Sequence, residues 1–181
     1  MRLIAVATAI TVGAAVAATA AGTAATARED DSYGQMTAIH QQLTGYQEDP
    51  LVVSTAGTAE VRIRVNQRQQ EVTYTLSYSA LEGAVTQAHI HFGGMAQSGG
   101  IAVFLCSNLG NGPTGTQPCP AAPGTISGTI KPTDVVGPAA QGIAPGQFDE
   151  LVRAIREGTT YVNVHSATYP GGEIRAQLDD H

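Results

Sequence analysis

Apolar residues recur at every second position through much of the chain. In "GTAEVRIRV" (57–65), Val61, Ile63 and Val65 share one face while Arg62 and Arg64 take the other. "EVTYTLSYSA" (71–80) repeats the pattern, with Val72, Tyr74, Leu76 and Tyr78 set against Thr73, Thr75 and Ser77. Strand side chains point alternately to opposite faces, so this period predicts strands with one buried face. "MTAIHQQL" (36–43) gives a first strand, ended by Gly45 and Pro50. Val85–Phe92, Ile101–Cys106, Thr125–Ile130, Tyr161–Ser166 and Glu173–Leu178 give five more, each bounded by Gly, Pro or Asn.

The period changes once. In "GQFDELVRAIREG", Phe148, Leu151, Val152 and Ile155 fall at i, i+3, i+4 and i+7, which predicts a short amphipathic helix. Asp149 and Glu150 open it, Arg153 and Arg156 follow, and Gly158 stops it. That order of charge suits the helix dipole. Eight short strands with one packed helix read as an all-β fold, an antiparallel β-sandwich or a barrel-like sheet.

The first 27 residues do not share the alternation. Met1 and Arg2 precede a run of mostly Ala and Thr, with no acidic residue before Glu29, and Ala25-Thr26-Ala27 is a small-x-small tripeptide. This predicts a secretory signal peptide over 1–27, a polar, flexible lead-in over 28–35 and one β domain over 36–181. The run is too weakly apolar to be expected as a stable membrane span, so no span is expected after cleavage. Removing 27 of the 181 residues leaves 154, enough for one sizeable core. Arg2 leaves with the signal, so the formal net charge of −6 becomes −7. Nucleic acid is disfavoured as a partner, since it needs clustered Lys and Arg to displace counterions.

Export also changes how the two cysteines read. Cys106 and Cys119 fit no redox or zinc spacing, and a pair in an exported chain predicts one disulfide. It would hold the Gly/Pro-rich stretch "SNLGNGPTGTQPCPAAP" (107–123). Closing such a loop is worth roughly 3 kcal/mol if treated as lost chain entropy.

The candidate chemistry lies in histidines. In "AHIHFGG" (88–94), His89 and His91 share a strand face about 6.6 Å apart, within reach of a single ion. In "YVNVHS", Tyr161, Asn163 and His165 alternate with Val162 and Val164. If that strand lies beside 85–92, His165 arrives from about 4.8 Å across the sheet. Three imidazoles with an open position suit copper or zinc, and protons should compete with such binding below about pH 6. The same histidines also read as a hydrogen-bonded polar stripe with Asn163, Thr86 and Gln87. Glu173 and Arg175 share a face in "GGEIRAQ", as a rim ion pair worth up to about 1 kcal/mol or with Glu173 orienting a ligand histidine. Asn163 is a second candidate for that supporting role. His40 either joins the cluster or lies exposed. Ser166 points away from His165, so the two form no catalytic dyad, and no phosphate loop or nucleophile elbow is present. Binding is expected rather than turnover.

Taken in order, several segments resemble the CHRD domain, the module named after chordin. They are "LTGYQEDP" (43–50), "STAGTAEVRI" (54–63), "TQAHIHFGG" (86–94), "IAVFLC" (101–106), "GTISGTI" (124–130), "LVRAIREGTTYVNVHS" (151–166) and "PGGEIRAQL" (170–178). The resemblance implies an extracellular β domain with an unidentified protein or surface partner. In animals the module occurs in a large secreted growth-factor antagonist whose other modules bind the ligand, so growth-factor binding is not implied here. "AHIHFG" also looks like the His-x-His strand of copper/zinc superoxide dismutases. Their two-metal site needs six histidines and an aspartate, and five histidines allow at most a single-metal version.

Mass spectrometry of exported protein should find a chain beginning at Arg28. Retention of Met1 would refute the signal peptide.

Overall fold

The computed structural model describes residues 37–179, and the expected signal peptide and lead-in lie outside the described residues. The alternating segments form β1 (Thr37–Thr44), β2 (Thr58–Asn66), β3 (Glu71–Ser79), β4 (Val85–Phe92), β5 (Gly100–Ser107), β6 (Gly124–Ile130), β7 (Thr160–Ser166) and β8 (Ile174–Leu178). All pairings are antiparallel, in the order β5-β4-β7-β8-β1-β2-β3-β6. The apolar positions of β2 and β3 line the core as their period requires. The helix α1 (Phe148–Arg156) buries Phe148, Leu151, Val152 and Ile155, the stripe read from its sequence, together with Ala154. Its end is marked by Gly158 at φ +61°. No helix among the described residues is long and apolar enough to cross a membrane.

The sheet curls until its two edge strands, β5 and β6, meet in a nearly closed barrel. Side chains stitch the seam where backbone pairing stops. Gln117 Nε2 donates to Leu105 O on β5 (3.2 Å), Ser127 O on β6 (3.2 Å) and the Tyr74 hydroxyl (2.7 Å). Tyr74 in turn donates to Leu105 O at 2.9 Å. Along the rest of the β5 edge, Ser107 N donates to Gln117 O and Val136 N to Ala102 O. An uncovered edge would invite pairing with another chain, and this covering removes the opportunity. Cys106 and Cys119 are joined, Cα atoms 5.1 Å apart, as the export argument predicts. Asn108 exchanges two hydrogen bonds of 3.0 Å with the Cys119 backbone, so covalent and polar ties fix the same loop.

Two register shifts in the β4–β5 pair matter for the site. They fall between Ala88 and His89 and between Ile90 and His91. A bulge adds twist and re-aims side chains. Across these two, His89 faces Phe104 and His91 faces Ile101 on the outer face, while Ala88 and Ile90 stay in the core.

Gln117→Leu keeps the volume and removes the three Gln117 side-chain bonds at the seam, leaving Tyr74 to Leu105 O. It should cost about 1 kcal/mol, read as a lower urea midpoint, because Leu105 O keeps Tyr74 as a donor and Ser127 O is open to water. An unchanged midpoint would show that the disulfide and Asn108 close the seam without it.

Candidate metal centre

β7 is the strand that builds the site, because it lies between β4 and β8. Its register with β4 pairs Gln87 with His165, His89 with Asn163, and His91 with Tyr161. His165 therefore sits diagonally across from His89, within reach of a long side chain. All three histidines converge: each offers one ring nitrogen, and these atoms lie within 4.8 Å of one another. His89 Nδ1 and His165 Nε2 are 3.2 Å apart. The His89 ring centroid is 5.3 Å from that of His91 and 5.1 Å from that of His165. Phe104 is the third ring against His89, edge-on at 4.5 Å.

Backbone carbonyls set the tautomers. His91 Nδ1 donates to Gly99 O and His165 Nδ1 to Pro170 O, both at 2.9 Å. A neutral imidazole that donates from Nδ1 keeps a lone pair on Nε2. His165 thus accepts at Nε2, and His89 donates to it from Nδ1. The Nε2 atoms of His89 and His91 are buried with no partner. Burial is the largest influence on all three rings and makes the charged form unfavourable. It pulls His89 down to about 3 and His91 to about 4, with smaller repulsions from the other rings; Arg175 adds to the effect on His91, while the bond to Gly99 O opposes it. His165 is lowered too, against the opposing pull of its bond to Pro170. Three neutral imidazoles at neutral pH form a donor set for a borderline cation such as zinc or copper.

The face around them is polar, yet out of water. Tyr161 stacks on His91, centroids 4.8 Å apart and planes 3° from parallel, and the Arg175 guanidinium lies 3.5 Å from the Tyr161 ring centre. His91 comes from β4 and Arg175 from β8, so the tyrosine of β7 lies between them. Asn163 Nδ2 donates to both oxygens of Glu48, at 2.8 and 2.9 Å, while its own Oδ1 is buried without a partner. Glu48 reaches this face because β1 ends in a tight turn at Gly45–Gln47. Gly45 has no room for a side chain there, since a Cβ would stand 2.1 Å from Val53 O. Burial raises the Glu48 carboxyl to about 7, against the lowering pull of Arg175 and Asn163.

The sequence points to His89, His91, His165 and Asn163, and the structure brings all four together. Glu173 lies elsewhere. Its Oε1 accepts from Thr55 Oγ1 and Glu82 N, both at 2.8 Å, so it braces two loops and orients no histidine. Nor do Glu173 and Arg175 form a rim ion pair. Both are fully buried, and Arg175 donates to the carbonyls of Gly94 and Gln97. The expected bonds from Thr86 and Gln87 to the rings are replaced by those to Gly99, Pro170 and between the rings themselves; Gln87 accepts from Asn111 instead. His40 lies apart on β1, paired with Glu60 and half exposed. Glu48 and Arg175 escaped the sequence reading as members of this face, and Tyr161 was placed on it without a role. Period-2 counting from His165 already placed Tyr161 beside the ligands, and that was the available signal.

A search of curated proteins finds no match, and neither does a search of solved structures. The CHRD domain matches residues 39–178, from the middle of β1 to the last residue of β8. That span holds every strand of the barrel and all three clustered histidines, and on it the chain belongs to the CHRD domain family.

Proposed function

We propose that His89, His91 and His165 together bind one transition-metal ion, zinc or copper, in a secreted CHRD domain whose role is binding rather than turnover. The observation that carries this reading is the pair of carbonyl-anchored rings. His91 and His165 both give Nδ1–H to the backbone, which leaves Nε2 as the nitrogen each can offer to the cluster, the arrangement that metal-binding histidines adopt. The orphaned Nε2 of His91 supports it, because a buried acceptor without a partner costs about 1–3 kcal/mol. A bound ion would remove that cost. The apolar run and Ala25-Thr26-Ala27 at the start of the chain support export, and the Cys106–Cys119 bond fits an oxidising compartment.

Titration calorimetry of untagged protein with zinc(II) and copper(II) should show one site. His89→Ala, His91→Ala and His165→Ala should each weaken it at least about 10-fold, and the triple variant should abolish it. Wild-type affinity no tighter than that of the triple variant would leave the histidines as structural struts.

Burial also revises the expected pH dependence. Free imidazoles near 6.5 would make three ligands lose roughly 1000-fold in affinity by pH 5.5. Here His89 and His91 stay neutral well below that and His165 is lowered too, so affinity should fall no more than about 10-fold between pH 7 and 5.5, the loss a single unshifted imidazole would cause. The cost falls on folding instead. The unfolded histidines take up protons near 6.5 and the folded rings resist; Glu48, raised to about 7, opposes this with a single proton, so the stability of metal-free protein still drops as pH falls from about 6.5 toward 4. A 1000-fold loss of affinity at pH 5.5 would contradict this picture.

A further inference from the structure

The loop that joins β4 to β5, residues 93–99, is tied down by side chains of the strands beside it. Arg175 Nη2 donates to Gly94 O at 2.9 Å and to Gln97 O at 3.1 Å. Two residues further along β8, Gln177 Nε2 donates to Gly93 O at 2.9 Å. At the other end, Gly99 N donates to the Tyr161 hydroxyl at 3.1 Å, and Gly99 O accepts from His91 Nδ1. Gly99 is pressed so close to Phe92 that a Cβ would stand 1.7 Å from Phe92 O. The carbonyl that fixes the His91 tautomer thus belongs to a residue whose position Tyr161 and the anchored loop determine.

Resting on the metal reading above, we infer that Arg175 and Tyr161 are positioning residues for His91. Through the 93–99 loop they hold the Gly99 carbonyl where it keeps the proton on Nδ1 and leaves Nε2 for the ion. Neither residue is among the three clustered histidines. Tyr161 acts twice, by stacking on the His91 ring and by receiving Gly99 N. Arg175 is suited to its place by shape: a planar guanidinium can lie on an aromatic face and still donate in its plane to two carbonyls. Lysine offers no such plane. The direction of the effect separates this role from a purely electrostatic one. A buried cation near the ion repels it, so removing that charge alone would tighten binding, whereas loss of positioning weakens it.

The test uses 15N-labelled full chain, with long-range proton–nitrogen spectra of the histidine rings and zinc titrations on wild type, Arg175→Met and Tyr161→Phe. Metal-free wild type should show His91 and His165 both protonated on Nδ1. In each variant His91 should become a mixture of tautomers while His165, held by Pro170, stays unchanged and reports an intact fold. Zinc affinity should fall about 10-fold or more, the usual cost of losing an outer partner of a ligand histidine. Tyr161→Phe keeps the ring and the stack, so it decides the matter if Arg175→Met fails to fold. His91 remaining wholly Nδ1-protonated in the folded variants, or zinc binding as tight as wild type or tighter, would overturn the role. Wild type that binds no zinc or copper would instead overturn the metal reading, and the tautomers are read without metal, so the two failures are distinct.

Discussion

A strand buried on both sides leaves its polar residues no water to turn to, and β7 is such a strand. All seven of its residues, Thr160–Ser166, are buried. Val162 and Val164 enter the barrel core, and their neighbours Tyr161, Asn163 and His165 face outward into a second, polar interior. Buried polar groups are normally satisfied within the protein, and most here are. Gln177, Arg175 and Asn163 find carbonyls or a carboxylate, and Tyr161 receives a backbone N–H. Three of the exceptions lie at the histidines, Nε2 of His89, Nε2 of His91 and Oδ1 of the facing Asn163, and the others are Thr160 Oγ1, Gln177 Oε1 and Glu173 Oε2. The metal reading follows from this constraint, because a cation is the partner that lone pairs on neutral rings can share.

The rest of the fold serves to keep that polar layer dry and fixed. Closing the barrel at the Gln117 seam holds β5 in place, the alternation of β4 aims His89 and His91 outward while Ala88 and Ile90 stay in the core, and the bulges on β5 set Phe104 opposite His89. The loop after β4 and the Pro170 turn before β8 each lend one carbonyl to one ring. Charge is balanced across the same layer. Arg175 of β8 pairs with Thr44 at the end of β1, and Glu48 follows in the turn just beyond, near enough for the guanidinium to pull its carboxyl down. Glu48 carries a carboxyl raised by burial, so its charge is reduced when the group is driest.

Alternation made the architecture legible. Strand period, Gly and Pro punctuation and one helical stripe give eight strands and α1 within a residue or two, because one-sided burial writes itself as period 2. The same period put His89, His91, Asn163 and His165 on shared faces, and only the pairing of β4 with β7 had to be supposed. What the sequence could not carry was the difference between a face that is polar because it is wet and one that is polar yet covered. Glu173 and Arg175 read as a rim pair for that reason, and both are buried. Glu48 was hidden for another: its position depends on a turn after β1, and loop geometry has no period. The carbonyls that orient the rings were invisible too, since backbone atoms carry no residue identity.

X-ray absorption on a one-to-one zinc complex near pH 7 tests the central claim most directly, since it counts the imidazoles at the ion. The account predicts three histidine nitrogens at about 2.0–2.1 Å, with the multiple scattering of imidazole rings. A shell of oxygen ligands with one imidazole or none would contradict it.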